Sequence, residues 1–295
     1  MKFPIKPNDA FWPGALRRLI GAHLRKDPRS LLQGHQLSGK AFSQAVSNLR
    51  LGGTFKTTRP GRHALSNELI RSQGLPEDAV ILDLGASDGI TSLELMQALN
   101  FSFKKYYVTD LFPEVHYLQR GQKVFFFEPR GRCTLIADRF FVYYPQFSRL
   151  ARRLFRKELA EFEKLRQEGS LALKKVPLIH PALQKEQRQR PQQIHIQRHD
   201  LLQKWSEEQP FLIKAANVLN PGYFPPEKLQ QALKLIFEAL PEKGLFLLVE
   251  NRIPRRRDES GRKVRREAAA LYQKHNGNFQ LLAKVGAETE LQVKL

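Results

Sequence analysis

The sequence predicts an α/β fold: a Rossmann-like, seven-stranded sheet, mostly parallel with a reversed C-terminal strand, helices on both faces, and an inserted β-hairpin and helix. Three observations predict it. Short apolar runs alternate with helical patterns from about residue 78, the first run leads into a glycine turn, and the chain ends in a predicted antiparallel hairpin. Alternating strands and helices favour a parallel sheet covered on both faces.

The first predicted unit is a strand, a glycine turn and a helix. Residues 79–84 form a short apolar run that suits a buried parallel strand. Residues 85–89 form the turn, and residues 90–99 predict the helix. A helix is also predicted over residues 226–240, since its leucines recur at helical spacing. Four more strands are predicted, over residues 106–109, 194–199, 211–217 and 244–250.

The C-terminal part departs from this alternation. Residues 265–274 predict a helix, and residues 279–284 and 290–295 predict an antiparallel hairpin around a turn at 285–287. Antiparallel edge strands are common on otherwise parallel sheets. The sequence therefore places its reversed strand at the C-terminal end.

Two segments lie outside the core pattern. Residues 1–65 predict a basic N-terminal helical extension, and residues 66–295 predict the α/β core. About ninety residues separate the second and third predicted strands, where a crossover needs only about a dozen. The sequence therefore predicts an insertion at about residues 114–192.

The insertion is predicted to contain two elements. Residues 123–142 predict a β-hairpin that turns at residues 129–132. Residues 147–165 predict one amphipathic helix, which either packs on its own domain or lies on a membrane surface. Its apolar side chains would face inward and its cations outward: Leu150, Ala151, Leu154, Leu159 and Phe162 inward, and Arg149, Arg152, Arg153, Arg156 and Lys157 outward.

The chain is strongly basic, with 49 Lys and Arg against 29 Asp and Glu and a formal net charge of +20. The excess is uneven: residues 1–62 hold twelve cationic and two acidic residues, and residues 252–266 hold a second cluster. A positive field of this kind concentrates nucleic acid, a phospholipid surface or a phosphorylated small molecule. Charge alone leaves these three classes of partner open.

Composition excludes several classes of protein. The chain is 41% hydrophobic with 20 Phe, enough for a core, and it has no run of about 18 uncharged apolar residues to span a bilayer. Its single cysteine, Cys133, cannot form an internal disulfide, and residues 1–10 lack the apolar stretch of a secretory signal. We expect a cytoplasmic protein, with peripheral membrane contact left open.

The turn at residues 85–89, Gly-Ala-Ser-Asp-Gly, has a chemistry that favours a cationic ligand. A nicotinamide-binding turn would also need glycine at positions 87 and 90, where this chain has Ser87 and Ile90. The strand carries Asp83 near its end, and Asp88 lies within the turn. Carboxylates there repel a pyrophosphate and suit a ligand with ammonium and sulfonium charges.

Residues 80–89, with the sequence VILDLGASDG, resemble the first motif of the class I S-adenosylmethionine-dependent methyltransferases. Asp110 stands where that family places the acid that binds the ribose hydroxyls, and Asp200 where it places the acid at the adenine edge. Residues 215–219 are similar to its fourth motif, and the closing hairpin matches its reversed last strand. The resemblance covers two stretches, residues 65–112 and 192–295.

The resemblance implies S-adenosyl-L-methionine as the cofactor, lying across the carboxyl ends of the first, second and fourth strands. Asp83 would order the turn and favour the methionine ammonium, the turn glycines would let backbone approach the ligand, and Asn217 would lie near the methyl group. The chain departs from the family at Leu212, where many members have an acid, and at positions 86 and 87, where they have more glycine. The residues expected to bind the cofactor are Asp83, Gly85, Ala86, Ser87, Gly89, Asp110, Asp200 and Asn217.

The activity that the resemblance implies is methyl transfer to an acceptor that the sequence does not identify. The basic extension and insertion favour an anionic acceptor: an RNA, a phosphorylated glycan or lipid, or an acidic small molecule. A non-catalytic RNA- or membrane-surface-binding protein on the same scaffold is the alternative. Four residues are candidate general bases by type, and the sequence singles out none of them: His116, Tyr144, His199 and Tyr223.

Three weaker patterns favour ordinary structure. Residues 34–41 nearly form a phosphate-binding P-loop, but Ala41 replaces its Ser or Thr. Residues 220–223, Asn-Pro-Gly-Tyr, are similar to the Asn-Pro-Pro-Tyr motif of methyltransferases that act on amino groups of bases, but they start three residues late. Two histidines and an acid have metal-ligand chemistry without a fourth partner, so no metal is expected: His195, His199 and Asp200.

Overall fold

The structure is a computed structural model that describes residues 5–252 and 266–293. Most of the cationic cluster at residues 252–266 therefore lies outside the described residues, as do the last two residues of the predicted hairpin. The same holds for the side chains at residues 34–36, which begin the P-loop-like segment.

Within the described residues, the helices and strands follow one another in the order of the sequence. The helices are α1 (Gly14–Ile20), a 3-10 helix (Pro28–Gln36), α2 (Gly39–Val46), α3 (Ala64–Ser72), α4 (Ile90–Ala98), α5 (Arg149–Leu154), α6 (Arg156–Gln167), α7 (Pro181–Gln189) and α8 (Pro226–Ala239). The strands are β1 (Ile5–Pro7), β2 (Arg50–Leu51), β3 (Thr54–Phe55), β4 (Val80–Leu84), β5 (Lys105–Asp110), β6 (Glu114–Arg120), β7 (Lys123–Phe127), β8 (Cys133–Ala137), β9 (Phe141–Tyr143), β10 (Lys174–Pro177), β11 (Ile194–Arg198), β12 (Leu212–Ala216), β13 (Leu245–Arg252), β14 (Arg266–His275) and β15 (Asn278–Gly286).

The chain divides into two compact units, and each unit is formed from two segments. The antiparallel unit comprises Met1–Thr58 and Glu114–Pro181, and the α/β unit comprises Arg59–Pro113 and Ala182–Leu295.

The α/β unit has a seven-stranded sheet in the order β11-β5-β4-β12-β13-β14-β15. The first five strands in this order are parallel, β14 runs antiparallel to β13, and β15 runs antiparallel to β14. The predicted fold class is therefore confirmed, and β14 is the reversed strand. Strand order reverses direction between β4 and β12, and ligands of open α/β sheets bind at the carboxyl ends of the strands at such a switch point.

The helix predicted over residues 265–274 is wrong, because this segment is β14 and pairs along its length with β13 and β15. The hairpin turns at Asn276 and Gly277, both with positive φ, and not at residues 285–287. The alanines at 268–270 favour a helix by intrinsic propensity, but they are buried between two strands, where small side chains fit. Packing against the neighbouring strands therefore outweighs the helix propensity of the alanines.

One core cluster joins the sheet of the α/β unit to α8. The helical spacing read from the sequence is confirmed, because the side chains that produced it are buried in this cluster: Leu229, Leu233, Ile236 and Leu240. The rings of Phe246 and Tyr272 stack there at 6.1 Å between centroids, and they belong to β13 and β14. The reversed strand is thus part of the core.

The antiparallel unit has a six-stranded sheet in the order β1-β9-β8-β7-β6-β10. The prediction of a hairpin is confirmed for the first arm and the turn, because β7 pairs with β8. The predicted second arm, residues 133–142, contains two strands, β8 and the start of β9, which pair with each other. The extension over residues 1–65 and the insertion over residues 114–192 were expected as separate additions, but β1 pairs with β9, so both contribute to one unit. A local sequence pattern cannot reveal this pairing, since the two strands are more than 130 residues apart.

The single helix predicted over residues 147–165 is two helices, α5 and α6, which meet at Phe155. Phe162 is buried as predicted, and Phe155 packs in the same cluster against Phe125. Leu150 and Leu154, predicted to face inward, are exposed. Phe155 occupies the core at the junction, so the leucines of α5 are left outside it.

A buried ion pair crosslinks the strands at the switch point. Lys214 of β12 and Asp83 of β4 are register partners, and both side chains are fully buried. The Asp83 Oδ2 accepts hydrogen bonds from Lys214 Nζ at 2.8 Å, Tyr106 Oη at 3.0 Å and Ser92 Oγ at 2.8 Å. One carboxylate thus joins β4, β5, β12 and α4.

Lys214→Met is expected to lower the free energy of unfolding of the α/β unit by about 3–5 kcal/mol, because it leaves Asp83 as an uncompensated buried charge. The double variant Asp83→Asn, Lys214→Met should recover most of that loss. Urea unfolding followed by the fluorescence of Trp205, in a Trp12→Phe background, measures both, since these are the chain's two tryptophans and Trp205 lies in the core of this unit.

Lys234→Met is the matched control, because Lys234 pairs with Glu238 at 3.9 Å on the exposed face of α8. Its expected cost is below about 1 kcal/mol. A similar small loss in Lys214→Met, or no recovery in the double variant, would contradict the assigned role of the buried pair.

Candidate functional site

The turn after β4 has an unusual backbone. Gly85, Ser87 and Gly89 have φ values of +68°, +64° and +76°. Glycine adopts this left-handed region without cost, whereas a serine there is uncommon and is held by its surroundings. Asp88 in the same turn accepts a hydrogen bond from the backbone N–H of Ile90, the first residue of α4, at 3.1 Å.

Asp110, the last residue of β5, braces this turn. Its Oδ2 accepts a hydrogen bond from the backbone N–H of Ser87 at 2.8 Å, and its Oδ1 accepts one from the N–H of Phe112 at 2.8 Å. The Ser87 Oγ is buried and has no hydrogen-bond partner. The acid predicted to follow the second strand and the turn predicted to follow the first are therefore in direct contact.

Both turn glycines are packed against protein side chains. A Cβ added to Gly85 would lie 2.6 Å from Val218 Cγ2, and one added to Gly89 would lie 2.3 Å from Leu183 Cδ2. The sequence led us to expect glycine here to make room for a ligand. The structure gives a different reason, since a left-handed φ and tight packing already demand glycine at both positions.

Asp200 lies two residues past the end of β11, the strand beside β5. Its Oδ1 accepts a hydrogen bond from the N–H of Leu202 at 3.0 Å, and the N–H of His199 donates to the carbonyl of Asp110 at 3.1 Å. Asp110 and Asp200 are both half-buried. Two carboxylates thus follow adjacent strands at one edge of the sheet, as the sequence predicts.

Asn217 follows β12, with φ +59°, and lies in an amide network that the sequence did not reveal. Its Oδ1 accepts hydrogen bonds from the backbone N–H of Asn251 at 2.7 Å and from Asn251 Nδ2 at 3.3 Å. Its Nδ2 lies 3.4 Å from His63 Nε2, and Asn251 Nδ2 lies 3.2 Å from the same atom. His63 and Asn251 are far from Asn217 in sequence and belong to no motif.

His63 is neutral in this network. The side chain is fully buried, and burial lowers its pKa to about 2, with Lys214 and Arg62 lowering it further by repulsion. Arg62 Nε donates to His63 Nε2 at 3.1 Å. Because donors face Nε2, the ring proton belongs on Nδ1, which is buried and has no partner.

Glu94 of α4 fixes the loop that carries His63. Its Oε1 accepts a hydrogen bond from the N–H of Gly61 at 2.7 Å. Burial raises the pKa of Glu94 above its usual range. Residues 59–63 are therefore held at the carboxyl edge of the sheet from both α4 and the amide network.

The four candidate general bases are divided between the two units. His116 and Tyr144 belong to the antiparallel unit, where the Tyr144 hydroxyl donates to the carbonyl of Asn48 at 3.0 Å and burial raises its pKa. The ring of His199 packs edge-on against Trp205 at 5.2 Å, and burial lowers its pKa. Tyr223 is exposed. No general base is assigned.

The Asn-Pro-Gly-Tyr segment is a turn in which Asn220 bonds to its own backbone neighbours. Its Oδ1 accepts a hydrogen bond from the N–H of Gly222 at 2.7 Å, and its carbonyl accepts one from the N–H of Tyr223 at 2.8 Å. The Asn220 side chain is thus used inside the turn, and the segment fits the ordinary turn that was weighed against a base-binding motif.

Across residues 5–252 and 266–293, no three His, Cys, Asp or Glu side chains come together in a way that could hold a metal ion. Within the same ranges, no helix has the length and apolar character needed to cross a membrane.

No protein-family model and no curated protein matches the chain. Solved structures do resemble it. An S-adenosylmethionine-dependent methyltransferase from Clostridium acetobutylicum is 11% identical, with 75% of this chain and 70% of that one covered and a TM-score of 0.33. A TehB-like S-adenosylmethionine-dependent methyltransferase from Corynebacterium glutamicum is 17% identical, with 63% and 61% covered and a TM-score of 0.32.

The YcgJ protein from Bacillus subtilis is 13% identical, with a TM-score of 0.31; 64% of this chain matches, and the match spans about half (52%) of that protein. With TM-scores of this size, the fold assignment depends on the strand order of the chain itself. That order, with its reversed strand, is the fold implied by the resemblance to class I methyltransferases.

The stability of the α/β unit is expected to fall as the pH falls below 6.5, in part because of His63. Its pKa is lowered to about 2 in the folded chain from 6.5, so between these values the unfolded chain binds a proton that the folded chain does not. This histidine alone contributes a loss of at most about 1.4 kcal/mol per pH unit. Urea unfolding at several pH values, followed by Trp205 fluorescence, measures it.

His63→Gln should flatten this dependence between about pH 6.5 and 4.5, even though it lowers stability at neutral pH. The exposed histidine His23 supplies the control, since His23→Gln should keep the full slope. An unchanged slope in His63→Gln would show that His63 is not a buried neutral histidine.

Proposed function

We propose that the α/β unit binds S-adenosyl-L-methionine and that the protein is a methyltransferase. One observation carries the proposal: at the switch point of the sheet, Asp110 holds the N–H of Ser87 at 2.8 Å, so the turn after the first strand and the acid after the second form one element. This is where open α/β sheets bind nucleoside ligands.

The residues at this edge fit a nucleoside that carries a positive charge. Asp110 and Asp200 are half-buried, so their carboxylates are partly accessible, and they follow neighbouring strands. Carboxylates accept strong hydrogen bonds from ribose hydroxyls and from an exocyclic amine. The partnerless Oγ of Ser87 adds a hydroxyl beside Asp110 that a bound ligand would satisfy.

Two of the residues expected to bind the cofactor are engaged in interactions within the protein. The charge of Asp83 is balanced by Lys214, so Asp83 would act on the cofactor only through the position of the turn that it anchors. The amide of Asn217 is engaged by Asn251 and His63, so it would line the site with a fixed orientation. The preference for a cationic ligand therefore depends on Asp110 and Asp200.

Bound S-adenosylmethionine supplies a methyl group that its sulfonium has already activated. The chain would then need only to align the methyl group with the acceptor and to exclude water. Alignment alone gives large rate accelerations. Asp110 and Asp200 would fix the nucleoside end. The loop at residues 59–63, held by Glu94 and His63, would restrict access of water from the side of β12 and β13.

For the acceptor we propose an anionic molecule. The antiparallel unit has 24 Lys and Arg against 9 Asp and Glu, a formal charge of +15 of the chain's +20. Such a field attracts an RNA, a phosphorylated glycan or lipid, or an acidic small molecule. Transfer of tritium from labelled cofactor into fractionated lysate would identify which class is methylated.

Asp110→Ala is expected to weaken the binding of S-adenosylhomocysteine by about 100-fold, because two charge-assisted hydrogen bonds of at least about 1.5 kcal/mol each would be lost. Isothermal titration calorimetry of the full chain measures this. Asp110→Asn should fall between the native protein and Asp110→Ala, since its amide oxygen still accepts from Ser87.

Asp78→Ala is the matched control, because it removes an exposed carboxylate of the same unit. The affinity of Asp78→Ala for S-adenosylhomocysteine should stay within about twofold of that of the native protein. If the native protein gives no heat with S-adenosylhomocysteine, or if Asp110→Ala binds as the native protein does, the methyltransferase proposal fails. A protein that used this scaffold only to bind RNA or a membrane would give that result.

A further inference from the structure

The N-terminal end of the two-helix segment in the antiparallel unit carries an outward-facing apolar stripe. Phe147, Leu150 and Leu154 are 43%, 55% and 56% exposed. Leu150 and Leu154 are four residues apart in α5 and so lie on one side of that helix, while Phe147 directly precedes the N-cap residue, Ser148. Ala151 and Phe155 of the same segment are buried. The core therefore takes only part of the apolar arc, and these three side chains are left in contact with solvent.

Cations border this stripe closely. At 100° per residue, Arg153 lies about 60° around α5 from Leu150, and Leu154 lies about 40° from it on the other side. The exposed cations of the segment are Arg149, Arg152, Arg153, Arg156 and Lys157. We call residues 147–157, with this stripe and these cations, the basic–apolar segment.

No acid compensates these charges. The sequence contains no Asp or Glu between Asp138 and Glu158. Glu158 pairs with Lys123 at 3.2 Å and Glu161 with Arg120 at 2.6 Å, so both are directed to the sheet. Among the described residues, none of the five cations of the segment makes an ion pair or a side-chain hydrogen bond.

Phe147 is also held in place by a cation. The guanidinium of Arg50 lies 3.4 Å from the centroid of the Phe147 ring. Burial lowers the pKa of Arg50, while the group remains a cation at neutral pH. The exposed aromatic ring is thus fixed next to positive charge, an arrangement that suits the headgroup level of a bilayer.

Exposed apolar side chains beside exposed cations favour one of the partners that a basic surface could have. An RNA would neutralise the arginines but leave two leucines in water, since nucleic-acid binding uses cations and aromatic rings. A second copy of the same surface would place five cations opposite five cations. An anionic bilayer accepts both features, with apolar side chains at the acyl boundary and cations among the headgroups.

We propose that the basic–apolar segment is a docking surface for an anionic phospholipid bilayer. The inference does not depend on methyl transfer, since it involves only residues of the antiparallel unit. α1 supplies a second element of the same kind: it buries none of its residues, and Leu16 and Leu19, 44% and 81% exposed, flank Arg17 and Arg18.

Sedimentation of the full chain with vesicles tests the proposal. The protein should bind phosphatidylcholine vesicles that contain about 30% phosphatidylglycerol and should not bind vesicles of phosphatidylcholine alone. The double variant Leu150→Ser, Leu154→Ser should lower the partition coefficient about tenfold or more, since the apolar insertion is lost. The double variant Arg152→Gln, Arg153→Gln should lower it about tenfold and weaken its dependence on salt.

Leu282→Ser is the control, because it removes a leucine of similar exposure, 42%, from the α/β unit. It should leave the partition coefficient unchanged within about twofold. Trp fluorescence and circular dichroism would verify that each variant is folded. A parallel series with Leu16→Ser, Leu19→Ser measures the share contributed by α1.

Three results would overturn the proposal: no binding of the native chain to anionic vesicles, equal binding to neutral ones, or full binding by the leucine variant. The last result, together with release by competitor RNA, would identify the surface as a nucleic-acid site. Heat with S-adenosylhomocysteine is measured separately, so either proposal can fail without the other.

Discussion

The α/β unit depends on how one buried carboxylate is compensated. A charge in the core of a protein costs several kcal/mol unless an ion-pair partner and hydrogen bonds compensate it. The carboxylate of Asp83 accepts hydrogen bonds from Lys214, Tyr106 and Ser92. Lys214 can reach Asp83 only when β12 lies beside β4 in the observed register, because a shift of one residue would turn it to the other face. That register places the turn after β4 and Asn217 after β12 at the same edge. The ion pair therefore specifies where the switch point is and which groups meet there.

The two sides of this edge differ in their chemistry. After β5 and β11 the half-buried polar groups are the carboxylates of Asp110 and Asp200, whereas after β12 and in β13 they are amides that contact His63. A pKa of about 2 and donors directed at Nε2 prevent His63 from accepting a substrate proton at neutral pH. Its role is to orient Asn217. One side thus presents carboxylates and the other neutral dipoles. In the transfer proposed above, the donor would carry the charge and the protein would supply alignment.

The parts of the molecule that could be predicted are those with a local signal. Residues 79–90 contain a strand, a turn and the first residue of a helix within twelve positions. Asp110 and Asp200 each follow a predicted strand, so the position of the two acids was predicted from sequence alone. The amide side depends on contacts 34, 154 and 188 residues apart in sequence, for which no local pattern exists. The pairing of β1 with β9 could not be predicted for the same reason. β14 was missed because three successive alanines favour a helix unless strands cover both sides.

The net positive charge of the chain bears on whether one of its sites can bind a cationic ligand. A protein with a formal charge of +20 would be expected to repel a cationic ligand from every site. Most of that excess, +15, belongs to the antiparallel unit, so the α/β unit has a formal charge of +5. Within the α/β unit, Lys214 cancels Asp83 inside the core, so it adds no positive charge that the local carboxylates must oppose. At the carboxyl edge, Asp110 and Asp200 follow β5 and β11, and the guanidinium of Arg62 lies beside His63. A strongly basic chain can therefore keep two carboxylates after adjacent strands of one sheet, while most of its excess cations, among them the exposed arginines of α5, belong to the other unit.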